Sequence, residues 1–389
     1  MSARPDLNIR HLSPAFRTFC GDRALEVLPR ELARVGATRA VMICSPSVAA
    51  QAGPMRRLHE VLGDRLVGQF DGVEEHSPLP AVEHARALLQ ECGADAVIAV
   101  GGGSAVVTAR AATILLAENA GVRTLCTQRV DGKLVSPKLS APKLPQWVVP
   151  SSPTTAYAKA GAAVRDTQTG ERLALYDPKA RAQGVVLDPG FALTAPPRLC
   201  WSAALNAFSM AVEGLQSRHV DPLADALLAH ALRAVVTWLP RVADRPLDAI
   251  PRLQLMLAAI MSGQGTDHTG GGLAQALSHA IGPRSQVANG VVEALLLPHA
   301  MRFNAPVVGD RLAGIADYLG LADRATGAVI ASIENLLDEF GVPRRLRDVG
   351  VAKESLDEIV EHAMGDWAIT AGPRMPEADD VREILRRAW

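Results

Sequence analysis

Two rhythms of apolar residues divide this chain. In its first half, short apolar runs alternate with amphipathic stretches, the pattern of an α/β sheet domain. Residues 40–44 (AVMIC) read as a buried strand, a helix opens at Ala81-Val82 and ends near Gly93, and residues 96–100 (AVIAV) form the next strand. Residues 147–149 (WVV) repeat the strand signal. From about Asp188-Pro189 onward the period becomes helical and stays so. Residues 197–217, 222–239, 250–262, 272–281, 308–319 and 325–340 each place apolar side chains three and four apart. The pattern predicts an α/β, Rossmann-like domain over residues 1–187, followed by an all-α domain over 188–389. A cleft at that boundary is the expected place for a cofactor.

Glycine placement adds chemistry to the first domain. Gly101-Gly102-Gly103-Ser104 falls directly between a predicted strand and a helix over residues 105–118. With no Cβ in the way, backbone N–H groups there can approach a pyrophosphate at the positive end of the helix. After the third strand comes Pro150-Ser151-Ser152-Pro153-Thr154-Thr155-Ala156-Tyr157-Ala158-Lys159. Its hydroxyls can hydrogen-bond a phosphate or a ribose, although a solvated turn is the commoner use of such a segment. Residues 127–144, polar and rich in Lys and Pro, read as an exposed excursion.

Composition narrows the function. With 40 basic and 41 acidic residues among 389, the net charge of −1 offers no footprint for nucleic acid or an anionic membrane. The five cysteines show no CxxC spacing, which points to reduced thiols and a cytoplasmic location. No uninterrupted apolar run reaches the ~18 residues of a membrane span.

Residues 272–304, GLAQALSHAIGPRSQVANGVVEALLLPHAMRFN, resemble the metal-binding core of the iron-containing alcohol dehydrogenases. Further matches are GGGS at 101–104, VVPSSPTT at 148–155, VVLDP at 185–189 and the ending AGPRMPEADDVREILRRAW. FDGVEEHSP at 70–78 and ICSPS at 43–47 look most like maleylacetate reductases. The resemblance implies reduction of a keto or enol acid with NAD or NADP as cofactor, and a homodimer. It implies that Gly101, Gly102, Gly103 and Ser104 hold the pyrophosphate, that Ser151, Ser152 and Thr155 lie near the cofactor, and that Arg172 lies near the ribose. Ser45 stands at a strand end where an acidic residue would repel a 2′-phosphate, so NADPH is admitted. The chain departs from the family pattern at Val107, where an Asp is usual, and at Arg110, where a Lys is usual.

The family's metal ligands are an Asp and a His four apart, then two further His; laid on this chain, they fall on Asn206, Met210, Gln275 and Asn289. Three carboxamides and a thioether supply neither anion nor imidazole, so the expectation is a site with no metal. Taken singly, the four are also ordinary packing and capping residues. Hydride transfer to a carbonyl without an ion needs another stabiliser of the developing alkoxide. His279, the family's non-ligating His, is the first candidate for general acid. Tyr157 and Lys159 are alternatives, and Arg284 could grip a substrate carboxylate. Asp267-His268 is a weaker acid/base candidate, since a turn at a helix start would account for Asp267. The sequence therefore predicts a metal-independent NAD(P)-dependent oxidoreductase for a small-molecule oxo or hydroxy substrate. A non-redox lyase, isomerase or cyclase on the same fold, and a catalytically silent binding subunit, remain open.

Overall fold

The alternating first half folds around a parallel sheet. The computed structural model describes residues 9–130, 133–218 and 220–389. The main sheet contains β1 (Arg17–Cys20), β2 (Ala40–Cys44), β3 (Leu66–Phe70) and β4 (Ala96–Gly101). After the short β5 (Gln128–Val130) and β6 (Lys133–Val135) come β7 (Gln146–Pro150), β8 (Gly161–Arg165), β9 (Arg172–Tyr176) and β10 (Gly184–Leu187). Six strands pair in the order β1-β10-β7-β4-β2-β3, every pair parallel. β2, β4, β7 and β10 are buried along their whole length, which is why three of them read as unbroken apolar runs.

Helices cover the sheet: α1 (Leu28–Arg34), α2 (Pro46–Ala49), α3 (Ala52–Leu62), α4 (Leu79–Glu91), α5 (Gly103–Glu118), α6 (Val122–Leu125) and α7 (Pro189–Ala192). Leu28, Leu32, Leu58 and Leu62 from α1 and α3 pack with Met42, Ile98 and Trp147 in one core. The excursion at 127–144 is more structured than its polarity suggests. β5 and β6 pair antiparallel, and the fully buried Lys143 ammonium bonds Glu118 Oε1 at 2.6 Å and Asp177 Oδ2 at 2.8 Å. β8 and β9 form a second antiparallel hairpin.

The second half is helical as predicted: α8 (Pro197–Leu215), α9 (Pro222–Asp244), α10 (Ala249–Thr269), α11 (Leu273–Ile281), α12 (Asn289–Leu319), α13 (Thr326–Glu339), α14 (Leu356–Met364) and α15 (Ala378–Ala388). Two details differ from expectation. α12 begins at Asn289 rather than near Val308, and Val308 (φ −131°, ψ 23°) is a kink inside it. Pro298 and Pro306 are carried within the helix. α10 continues to Thr269, so Asp267 and His268 lie in a last helical turn and not at a helix start. Among the described residues, α9 is the one helix long and apolar enough to cross a membrane by composition, but half of its apolar window is buried against protein. It packs on α8 and α12 as a core helix.

The chain divides into two compact units whose boundary differs from the expected Asp188. The sheet unit comprises Ala15–Pro196 and Leu247–Met256, and the helical unit comprises the N-terminal segment, Pro197–Pro246 and Leu257–Trp389. Residues past Asp188 stay with the sheet because Phe191 is buried in its core and Asp188 Oδ2 accepts from Arg57 at 2.8 Å. Arg252 brings its segment to the same unit by donating to the carbonyls of Ala192 (2.9 Å) and Ala195 (2.5 Å). The N-terminal segment goes with the helices because His11 Nδ1 bonds Asp221 Oδ2 at 2.7 Å.

Candidate active site

In the sheet unit, β4 and β7 stay paired to their last residues, with Gly101 opposite Pro150. Gly101 has φ 133°, a conformation closed to residues with a Cβ. The chain then turns into α5, whose first residues lie against the hydroxyl-rich loop after β7. A Cβ on Gly102 would come within 3.2 Å of Ser152 Oγ, and one on Gly103 within 3.2 Å of Thr154 Oγ1. Bare backbone therefore faces two hydroxyls at the positive end of a 16-residue helix, a geometry suited to a pyrophosphate. The Ser151 N–H donates to Gly101 O at 3.1 Å, and Ser151, Ser152 and Thr155 are buried beside it. Ser45 caps α2 at the end of the neighbouring β2, its hydroxyl 3.0 Å from that of Ser47. The predicted residues Gly101 to Ser104, Ser45, Ser151, Ser152 and Thr155 thus share the carboxyl ends of three adjacent strands.

Arg172 is exposed at the start of β9, opposite Arg165 in the β8–β9 hairpin. Its charge bears instead on His76, whose imidazole is held below its ordinary pKa by burial, with Arg165 and Arg172 adding to the effect against Glu75. His76 and Ser77 both take left-handed conformations (φ 62° and 47°), and Ser77 Oγ donates to Ser104 O at 3.1 Å. Two consecutive strained residues beside the glycine turn are a functional signal. Sequence reasoning gave them no role.

Tyr157 and Arg110 hold the hydroxyl-rich loop. The fully buried Tyr157 hydroxyl donates to Ser152 O (3.0 Å) and accepts from the Thr154 N–H (2.9 Å). This corrects its candidacy as a proton donor, since the hydroxyl is committed to its own loop. Arg110, also buried, donates to the carbonyls of Ala156 (2.9 Å), Gly161 (2.8 Å) and Ala180 (3.2 Å). Lys159 is half-buried at the end of the short 3-10 turn Thr155–Ala158.

In the helical unit, the four positions given to metal ligands by the resemblance do come together. Asn206 and Met210 sit on α8, Gln275 on α11 and Asn289 at the start of α12. Gln275 Nε2 lies 3.7 Å from Met210 Sδ, and Asn206 Nδ2 donates to Glu293 Oε2 at 2.5 Å. Sequence reasoning missed two buried carboxyls here, Glu213 and Glu293. Glu213 caps α11, accepting from the Ala274 N–H (2.8 Å) and the Gln275 N–H (3.1 Å). A side chain at Gly272 would meet the Glu213 carboxylate at 2.4 Å, so any larger residue there would displace that carboxylate. Burial pushes the Glu213 carboxyl up to about 7 against the pull of these two N–H groups. Burial, and then the Glu213 charge, raise Glu293 well above the usual carboxyl range. Glu293 Oε1, Gln275 Oε1 and Asn289 Oδ1 are buried without a hydrogen-bond partner in the protein. The missed signal was spacing: residues 206, 210 and 213 lie on one face of α8, and residues 289 and 293 on one face of α12.

This donor set does not fit a transition ion of the iron type. Asn206 and Met210 offer a carboxamide and a thioether, and both oxygens of Glu213 are used by α11. Among the described residues, no group of three His, Cys, Asp or Glu side chains converges at this register.

His279 stands one helical turn beyond Gln275, its Nδ1 2.8 Å from Asp366 Oδ2. Asp366 is itself fixed, its other oxygen accepting from the Ala368 N–H at 2.8 Å. Arg284 is not poised for a substrate carboxylate, because its guanidinium binds Ala280 O at 2.7 Å and pairs with Glu358.

Comparison with known proteins identifies the family. A family model for iron-containing alcohol dehydrogenase matches residues 15–189, and one for the Fe-containing alcohol dehydrogenase family, C-terminal, matches 201–389. The chain belongs to the iron-containing alcohol dehydrogenase family, whose members are oxidoreductases. It is 27% identical to maleylacetate reductase 1 of Cupriavidus pinatubonensis over 97% of this chain and 96% of that protein. It is also 27% identical to lactaldehyde reductase of Escherichia coli K12, over 95% of this chain and 97% of that one. An alcohol dehydrogenase structure from Oenococcus oeni shares the fold with a TM-score of 0.89, at 22% identity, over 98% of this chain and all of that chain.

Proposed function

We propose that this oxidoreductase passes a hydride between NADH or NADPH and a small oxo compound, an oxo acid of the maleylacetate kind, without a transition ion at the register of Asn206, Met210, Gln275 and Asn289. One observation carries the reading: a buried carboxyl, Glu293, hydrogen-bonded by Asn206 and with its other oxygen unpartnered, lies among side chains that cannot hold iron. A dinucleotide held by Gly101 to Ser104 and the hydroxyl-rich loop would supply the hydride, and the substrate's carbonyl oxygen would then need a proton from the protein. An acid supplying the proton during transfer does the work otherwise asked of a Lewis acid. Glu293 suits the task because burial, and then the Glu213 charge, raise its carboxyl well above the usual range and so favour the form that carries a proton. The His279–Asp366 pair is a second proton source, with Asp366 orienting the ring and stabilising its imidazolium form.

The glycine turn and the hydroxyl-rich loop support dinucleotide binding. The absence of a carboxylate at Ser45 leaves NADPH as acceptable as NADH. The five free cysteines agree with a cytoplasmic enzyme, and we assign it as a homodimer.

The test is elemental analysis combined with nucleotide titration of chelator-treated protein. Either nucleotide should raise the melting temperature, and aldehyde- or oxo-acid-dependent loss of nicotinamide absorbance should persist in protein free of iron and zinc. Activity that disappears on chelation and returns only with added metal sinks the proposal. No response to either nucleotide would leave the non-redox and silent readings.

A further inference from the structure

The helical unit also holds a cluster of potential metal-ligating side chains made of residues other than those at the family register. His11 from the N-terminal segment, Asp221 ahead of α9 and His268 in the last turn of α10 place one ligand atom each within 4.8 Å of the others. His11 Nδ1 is 2.7 Å and His268 Nδ1 3.9 Å from the same oxygen, Asp221 Oδ2. The side chains are only 12%, 15% and 10% exposed, for His11, His268 and Asp221 respectively, so the arrangement is built into the fold.

We infer that His11, Asp221 and His268 form a binding site for a divalent transition ion of the zinc class, one that staples the N-terminal segment to the helices.

A single hydrogen bond from His11 satisfies Asp221 Oδ2 and gives no reason for a second imidazole. The His268 ring nevertheless stacks on that of His11, with centroids 3.8 Å apart and planes 17° from parallel, and turns Nδ1 toward the same carboxylate at a separation too long for a hydrogen bond. Two imidazoles and a carboxylate are a donor set that zinc and its neighbours prefer. On a tetrahedral ion with bonds of about 2.0–2.1 Å, donors stand roughly 3.3 Å apart. The separations of 2.7 and 3.9 Å bracket that value, and binding requires the two stacked rings to tilt so that both nitrogens face the ion.

The surroundings also match a ligand site. Asp221 Oδ1 is fixed by the N–H groups of Leu223 (3.0 Å) and Ala224 (3.2 Å), leaving Oδ2 to the histidines. Three protein ligands leave a fourth position for water. The three residues come from distant parts of the chain, so bound ion would tie residues 9–14 down and add its binding energy to folding.

The experiment uses the full chain, dialysed against chelator and titrated with Zn2+ and, separately, Co2+. The expected results are a single equivalent bound, visible absorption of the Co2+ form in the pattern of a four-coordinate nitrogen and oxygen site, and a melting temperature raised by roughly 5–10 °C at zinc about a hundredfold above its Kd. His11→Gln and His268→Gln, checked for folding by circular dichroism, should each weaken binding at least roughly tenfold. Absence of a stoichiometric Co2+ signal in the wild type, or undiminished binding in both variants, overturns the inference. The two variants also separate this site from the register of Asn206, because nicotinamide oxidation that still depends on added metal in both variants is traced to the register and not to this cluster.

Discussion

The sheet unit and the helical unit build their sites from different materials. At the ends of β4 and β7 the working groups are backbone amides and hydroxyls, shaped by Gly101 to Gly103 and by Ser151, Ser152 and Thr154. In the helical unit they are side chains on α8, α11 and α12: two carboxyls and a set of carboxamides buried against one another. A backbone site tolerates drift in many side chains as long as its glycines remain. A side-chain site changes chemistry with each substitution, so the two halves of one enzyme can diverge at different rates.

The largest test of that contrast is Glu293→Gln. The amide keeps the size of the buried group but carries no acidic proton. We expect kcat/KM to fall by roughly 10²–10⁴ with little change in melting temperature and in nucleotide affinity. Equal activity in variant and wild type would show that the helical cluster is structural only.

A second test concerns Glu213. Its folded pKa, about 7, lies above the ordinary carboxyl value, so its contribution to stability is fully present below the unfolded pKa and is lost as pH rises through about 7. The stability difference between wild type and Glu213→Gln should therefore shrink, by about 3 kcal/mol, as pH rises across that window. Denaturant melts of both proteins across the range check it. A difference that grows with pH would mean that Glu213 is buried as a stabilised carboxylate.

The smallest effect belongs to Tyr157→Phe in the sheet unit. It removes one donor and one acceptor from the loop and should lower stability by about 1–2 kcal/mol, leaving the pH profile of kcat unchanged. A new pH dependence would return Tyr157 to the mechanism.

How much of this was legible in the sequence follows the same contrast. β2, β4 and β7 could be read because strands buried on both faces are apolar throughout, and Gly101 to Ser104 because the turn demands glycine. β5 and β6 could not, being three residues each, with β5 exposed along its length. α12 was legible only in its second part, because Pro298 and Pro306 suggest breaks that the helix absorbs. Family register brought Asn206, Met210, Gln275 and Asn289 to one place. Glu213 and Glu293 escaped notice because a carboxylate on a helix usually faces water, and only packing among three helices shows that these do not.

Arg110 has a consequence for how cofactor meets protein. One guanidinium crosslinks three stretches of main chain around the hydroxyl-rich loop, so the loop's shape is set by folding rather than by its guest. Dinucleotide then docks on a surface already frozen, and little chain entropy is surrendered on arrival. Amide hydrogen exchange in this loop should be slow before any cofactor is added.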